Sequence, residues 1–175
     1  MNKYIALLRG INVGGHKKVL MADLTSLFES LGFTEVQTYI QSGNVVFSSK
    51  IESNLEGRIA EAIESKYGFF VPVLVKKASE MTKILSNCPF SGEKREKSYF
   101  ILMKENPTRE DIELTMKFSH EDEEFHIRKD CVYIYYRVGA GTAKMGNNFF
   151  EKKLKVIATA RNYRTMAKLL ELTSS

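Results

Sequence analysis

An apolar run, Tyr4 to Leu8, gives way to a helical pattern from Met21, and the connection carries Gly10, Gly14 and Gly15. Five apolar residues make a strand rather than a helix. In the next segment Leu20, Leu24, Leu27, Phe28 and Leu31 recur at helical spacing, and Gly32 follows as a stop. A buried strand followed by an amphipathic helix commits the chain to a sheet with helices packed on it.

The rhythm continues. Val36–Gln41 reads as a strand, Ser42-Gly43-Asn44 as a tight turn, and Val45–Ser48 as the partner strand. A helix over 55–66 ends near Gly68, and Phe70–Val75 is a fourth strand. The order βαββαβ over residues 1–77 is the ferredoxin-like plan. Residues 78–175 repeat it less fully. A linking helix near 79–86 and a loop over 87–97 precede a strand at Tyr99–Met103. A helix over 108–118 follows, capped by Thr108, then paired strands at Phe125–Arg128 and Val132–Tyr136. Helices over 148–156 and 163–172 then give βαββαα, the last helix standing in place of a fourth strand or preceding the tail. The expected fold class is α+β: a tandem of two ferredoxin-like units packed together, the second degenerate and ending on a C-terminal helix.

In such a unit strands 1 and 2 run parallel, so the loop after strand 1 and the turn after strand 2 leave the sheet at one end. Arg9, Gly10, Asn12, Gly14, Gly15, Lys17 and Lys18 then meet Gln41, Ser42 and Asn44, and converging polar clusters mark a site. The glycine-rich loop before a helix offers backbone N–H groups and positive charge, the chemistry of an anion site. Turn chemistry alone also accounts for Ser42-Gly43-Asn44. The loop is no Walker motif: His16 stands where its lysine belongs, and no Ser or Thr follows Lys17.

Of 175 residues, 43% are hydrophobic and 27% charged. A chain of this length buries about 70% of its unfolded surface and folds without staples. Cys88 and Cys131 have no metal or redox spacing and read as reduced thiols. Arg9 ends the N-terminal apolar run too early for a signal peptide, and no membrane span is visible. These features place the chain in the cytoplasm, away from membranes. His16, His120 and His126 are scattered, so neither a metal nor a cofactor is expected. The acidic run Glu121–Glu124 is expected in solvent. Tyr133 and Tyr135 share one strand face, suited to core packing or to base stacking.

The net charge is +5, with a basic stretch over 137–168 of eight bases and one acid. It reads either as solvated helix faces or as a nucleic-acid surface. Within it lies a second candidate cluster, Lys144, Arg161, Asn162 and Tyr163. Thr159 or Asn162 would cap the last helix, whereas Arg161 at a helix start opposes the helix dipole and implies another duty.

The strings Ala6-Leu7-Leu8-Arg9-Gly10-Ile11-Asn12-Val13-Gly14-Gly15 and Tyr39-Ile40-Gln41-Ser42-Gly43-Asn44-Val45-Val46-Phe47 resemble the bacterial domain-of-unknown-function family 1697. So does the ending Glu151-Lys152-Lys153-Leu154 with Thr159-Ala160-Arg161-Asn162-Tyr163-Arg164-Thr165. The resemblance implies a tandem of ferredoxin-like units and no established activity. It implies Trp at Tyr163 and Gly at Lys155, where this chain departs. The leading expectation is a phosphate-bearing or other anionic small ligand at the glycine-rich loop. The alternatives are a nucleic-acid-binding module using 137–168 and, by fold analogy, an acylphosphatase-like hydrolase.

Overall fold

The computed structural model describes residues 1–175. The chain divides into two compact units, Met1–Thr82 with Lys168–Ser175, and Lys83–Ala167. The first contains β1 (Asn2–Leu8), α1 (Met21–Ser30), β2 (Thr34–Tyr39), β3 (Asn44–Ser49), α2 (Leu55–Tyr67) and β4 (Val73–Lys77), in that order. Its four strands lie in the order β2-β3-β1-β4 with antiparallel neighbours. β1 and β2 are therefore parallel, as the sequence predicts. Tyr4, Ala6 and Leu8 join Leu24, Phe28, Ile59 and Ile63 in one core. Ile5 and Leu7, on the other face of β1, are also buried. Cover on both faces explains why β1 reads as an unbroken apolar run.

The element bounds shift by a few residues, as turn chemistry commonly blurs them. β2 starts earlier than expected, and β4 begins after Pro72, whose ring supplies no N–H to a ladder. α2 ends at Gly68, which takes φ +76 and donates its N–H to the Glu64 carbonyl.

α3 (Ala78–Ser86) joins the first unit's strands to α4 (Gly92–Glu96), a short helix inside the segment read as a loop. Its residues Glu93, Lys94 and Arg95 carry no apolar periodicity, so the sequence gives no helical signal there. Then follow β5 (Tyr99–Met103), α5 (Arg109–Thr115), β6 (Glu123–Ile127), β7 (Cys131–Tyr136), α6 (Asn147–Leu154), β8 (Ala158–Asn162) and α7 (Tyr163–Thr173). The second sheet has the order β6-β7-β5-β8, again antiparallel throughout. Ile101, Met103, Val132, Ile134, Phe150 and Leu154 form its core on the helix side.

β8 corrects the βαββαα reading. Residues 158–162 pair with β5 from Met103↔Ala158 to Tyr99↔Asn162. Thr-Ala-Arg-Asn lacks the β-branched density of a typical strand, and α7 begins at the next residue. Asn162 ends the strand and caps the helix, its Oδ1 accepting from the Thr165 N–H at 2.9 Å. Nor does the chain end stay with the second unit. Residues 168–175 group with the first, where Lys3 Nζ donates to the Ser175 carbonyl at 2.7 Å.

Candidate functional site

The loop after β1 and the turn after β2 meet through main-chain and side-chain bonds. The Leu8 N–H donates to the Gly43 carbonyl at 2.8 Å. Asn12 Nδ2 donates to the Gln41 carbonyl at 2.8 Å and to the Val19 carbonyl at 2.9 Å, while its Oδ1 accepts from the Val19 N–H at 2.8 Å. Asn12 itself has φ +54, a left-handed conformation that asparagine tolerates better than most residues. One side chain thus closes the loop on itself and pins it to the neighbouring turn.

The turn has its own internal frame. Asn44 is fully buried, and its Nδ2 donates to the Tyr39 carbonyl at 3.0 Å and to Ser42 Oγ at 2.9 Å. Gly43 has φ +86, and a Cβ there would sit 2.7 Å from Leu8 Cβ. Only glycine fits both the conformation and the approach. At the loop's far side Lys17 Nζ donates to the Phe70 carbonyl at 2.7 Å. Arg9, half-buried at the root of the loop, donates its N–H to the Pro72 carbonyl at 3.0 Å.

Within this frame lies a depression of about 300 Å³ lined by Asn12, Gly15, Lys18, Val19, Leu20, Met21 and Gln41. It opens at the start of α1, whose N-cap is Leu20 and has no side-chain cap. The first-turn N–H groups of a helix need acceptors, and leucine has none to offer. The exposed Lys18 supplies the positive charge in this lining, which contains no carboxylate, histidine, thiol or hydroxyl. Four apolar side chains on the surrounding segments, Val13, Leu20, Ile40 and Phe70, are each more than half exposed. The amphipathic spacing of Leu20 hides this role, because the residue reads as part of the helix's buried stripe.

The residues of the second candidate cluster each have their own surroundings. Lys144 is exposed, and its backbone N–H, with that of Met145, donates to the Glu123 carboxylate. Glu123 is half-buried, so the acidic run does not simply lie in solvent. It clamps the approach to α6, and Glu124 pairs with Lys94 at 2.7 Å. Arg161 lies on β8, buried, with Nη1 donating to Thr159 Oγ1 at 2.9 Å and to the Ala160 carbonyl at 2.8 Å. Burial lowers its pKa to about 10, so the guanidinium stays charged at neutral pH. The Tyr163 ring lies tilted beside Phe100, with ring centres 6.4 Å apart, and the Arg95 guanidinium is 5.4 Å from its ring centre.

Three further bases of 137–168 have partners within the chain. Lys155 pairs with Asp111 at 2.8 Å, Lys168 with Glu171 at 2.7 Å, and Lys153 lies 4.4 Å over the Phe118 ring. Tyr133 and Tyr136 are buried, their hydroxyls donating to the Ile84 and Met145 carbonyls, so neither is available to stack a base. Lys155 has φ +55 at the C-terminus of α6, the left-handed position where the resemblance implies glycine. No group of three His, Cys, Asp or Glu side chains is placed to hold a metal ion, and no helix is long and apolar enough to cross a membrane.

The fold is shared with a solved structure, a conserved bacterial protein from Streptococcus pneumoniae. It is 22% identical, covers 98% of each chain and superposes with a TM-score of 0.74. No curated protein matches the chain. The family described as "Protein of unknown function (DUF1697)" matches residues 1–133 of the 175, including the loop and the turn. The chain therefore belongs to the DUF1697 family.

Proposed function

We propose that the first unit binds a small anionic ligand with an apolar portion, in the depression between the loop 9–18 and the turn 41–44. The uncapped start of α1 beneath that depression carries the reading, since an anion there would accept from N–H groups that Leu20 leaves without a side-chain partner. Lys18 neutralises the charge, Gly14 and Gly15 let the backbone approach, and Gln41 meets the ligand's polar edge. Asn12, Ser42 and Asn44 hold the frame, as do Gly10 and Lys17, and Arg9 adds positive potential at its root. The exposed Val13, Leu20, Ile40 and Phe70 suit a ligand that is not a bare ion. The lining offers no nucleophile and no general base, which favours binding over acyl-phosphate hydrolysis.

The same proposal treats each unit as ferredoxin-like and the chain as their tandem, supported by the matching strand orders of the two sheets. It places the protein in the cytoplasm, in keeping with its two free cysteines.

Calorimetric titration with phenyl phosphate, an anion with an apolar ring, tests the binding. The expected result is saturable binding that Lys18→Ala weakens about tenfold, or by roughly 1.4 kcal/mol. Absence of saturable binding, or binding unchanged in both Lys18→Ala and Gln41→Ala, overturns the proposal.

A further inference from the structure

The second unit holds a larger depression, of about 450 Å³, lined among others by Glu96, Lys97, Tyr99, Arg137, Asn162 and Arg164. It lies where Tyr99 begins β5, Tyr136 ends β7 and Asn162 ends β8. Its volume is within the roughly 300–1,000 Å³ of small-molecule sites. Three cations face one carboxylate in its lining. Two of those cations are uncommitted: the exposed Arg137 and Arg164 guanidiniums make no ion pair and no hydrogen bond within the chain. Arginine offers a planar fork of donors suited to phosphate oxygens.

The remaining polar groups point to more than an anion. Asn162 spends its Oδ1 on the Thr165 N–H, which leaves its amide NH₂ as a donor. Glu96 is an acceptor, out of place beside a bare anion and suited to ligand hydroxyls. The Tyr99 ring is half-buried and held edge-on by Tyr136, with ring centres 5.5 Å apart. It presents a rigid apolar wall to a carbon skeleton.

We propose that this depression is a binding site for a hydroxylated phosphomonoester, a sugar phosphate or a mononucleotide. Arg137 and Arg164 take the phosphate. Asn162 and Glu96 take hydroxyls, and Tyr99 takes the sugar carbons. It is separate from the site proposed on the first unit and shares no residue with it. Neither arginine is in the core, so replacing them leaves the fold intact.

Titration calorimetry with ribose 5-phosphate, adenosine monophosphate and inorganic phosphate tests the proposal on the full chain, with circular dichroism confirming each variant's fold. The expected result is that ribose 5-phosphate or the mononucleotide binds at least about tenfold more tightly than inorganic phosphate. Arg137→Ala and Arg164→Ala each weaken that binding about tenfold, while Lys18→Ala leaves it unchanged. Glu96→Gln weakens the sugar phosphate but not inorganic phosphate. Tighter binding of the nucleotide assigns the base a place in the depression; equal binding confines recognition to the sugar phosphate. The proposal is overturned if none of the three saturates by about 5 mM, if inorganic phosphate binds as tightly as the esters, or if the double variant Arg137→Ala/Arg164→Ala binds like the wild type.

Discussion

Asn12 shows how one side chain can frame a loop: it closes the segment after β1 on itself and ties it to the turn after β2. Its two bonds to Val19 are local and part-buried, and its bond to the Gln41 carbonyl is exposed and joins the loop to the next turn. At about 1 kcal/mol for each of the two part-buried bonds, Asn12→Ala is expected to cost about 2 kcal/mol in urea unfolding and to weaken ligand binding through loop disorder. Gly43→Ala faces both a clash with Leu8 and a left-handed φ, and is expected to destabilise by at least about 2 kcal/mol. Lys155 also has a left-handed backbone, offset by its bond to Asp111. Lys155→Gly is expected to melt a few degrees above Lys155→Ala, because glycine alone relieves the backbone. The Lys155 and Thr108 side chains hold the Asp111 carboxyl below its ordinary range. A lowered folded pKa contributes stability above the unfolded value of about 3.9, and that contribution is lost as pH falls through the folded one. The stability gap between wild type and Asp111→Asn is therefore expected to be flat near neutrality and to shrink below about pH 4. Glycine at 43 was legible as a turn residue. The commitment of Asn12 and Asn44 to frame bonds was not, since a sequence does not show whether a polar side chain faces ligand or backbone.

At the scale of elements, α1 is the informative case. Its apolar spacing made it visible in the sequence, and Gly32 marked its end. Its N-cap is a leucine that is 70% exposed, in a position that favours Ser, Thr, Asp or Asn. Leu20→Asp would place a carboxylate over the first-turn N–H groups. It is expected to raise stability by about 1 kcal/mol and to abolish phenyl phosphate binding, because the new carboxylate occupies the anion's place. A stabilised protein with undiminished binding would count against the use of this helix start. β8 is the counter-example in legibility. Its pairing with β5 is non-local, and the short polar string Thr159–Asn162 carries no period of its own. Tertiary pairing overrides local preference there. The capping role of Asn162 was legible because it is local.

Across the whole molecule, the arrangement of the first sheet followed from alternating apolar runs and turn residues. With strand order comes the convergence of loop and turn, which is why their meeting was readable while the bonds that join them were not. The return of residues 168–175 to the first unit was not legible. An amphipathic helix states that one face is buried, not which core receives it. The basic stretch over 137–168 illustrates the same limit. Charge was countable, but the pairing of Lys155 and Lys168 and the burial of Arg161 depend on the fold. For this reason the chain is expected to show weak, non-saturating retention on single-stranded RNA, in contrast to the steep salt dependence of a dedicated nucleic-acid surface.

Backbone amide NMR reads the start of α1 without intermediaries. On titration with phenyl phosphate, the amides of Gly14, Gly15, Lys18 and residues 21–23 are expected to shift together along one saturating curve, and to remain still in Leu20→Asp. If those amides stay in place while others respond, or if nothing shifts at millimolar ligand, the start of α1 is not where the anion binds.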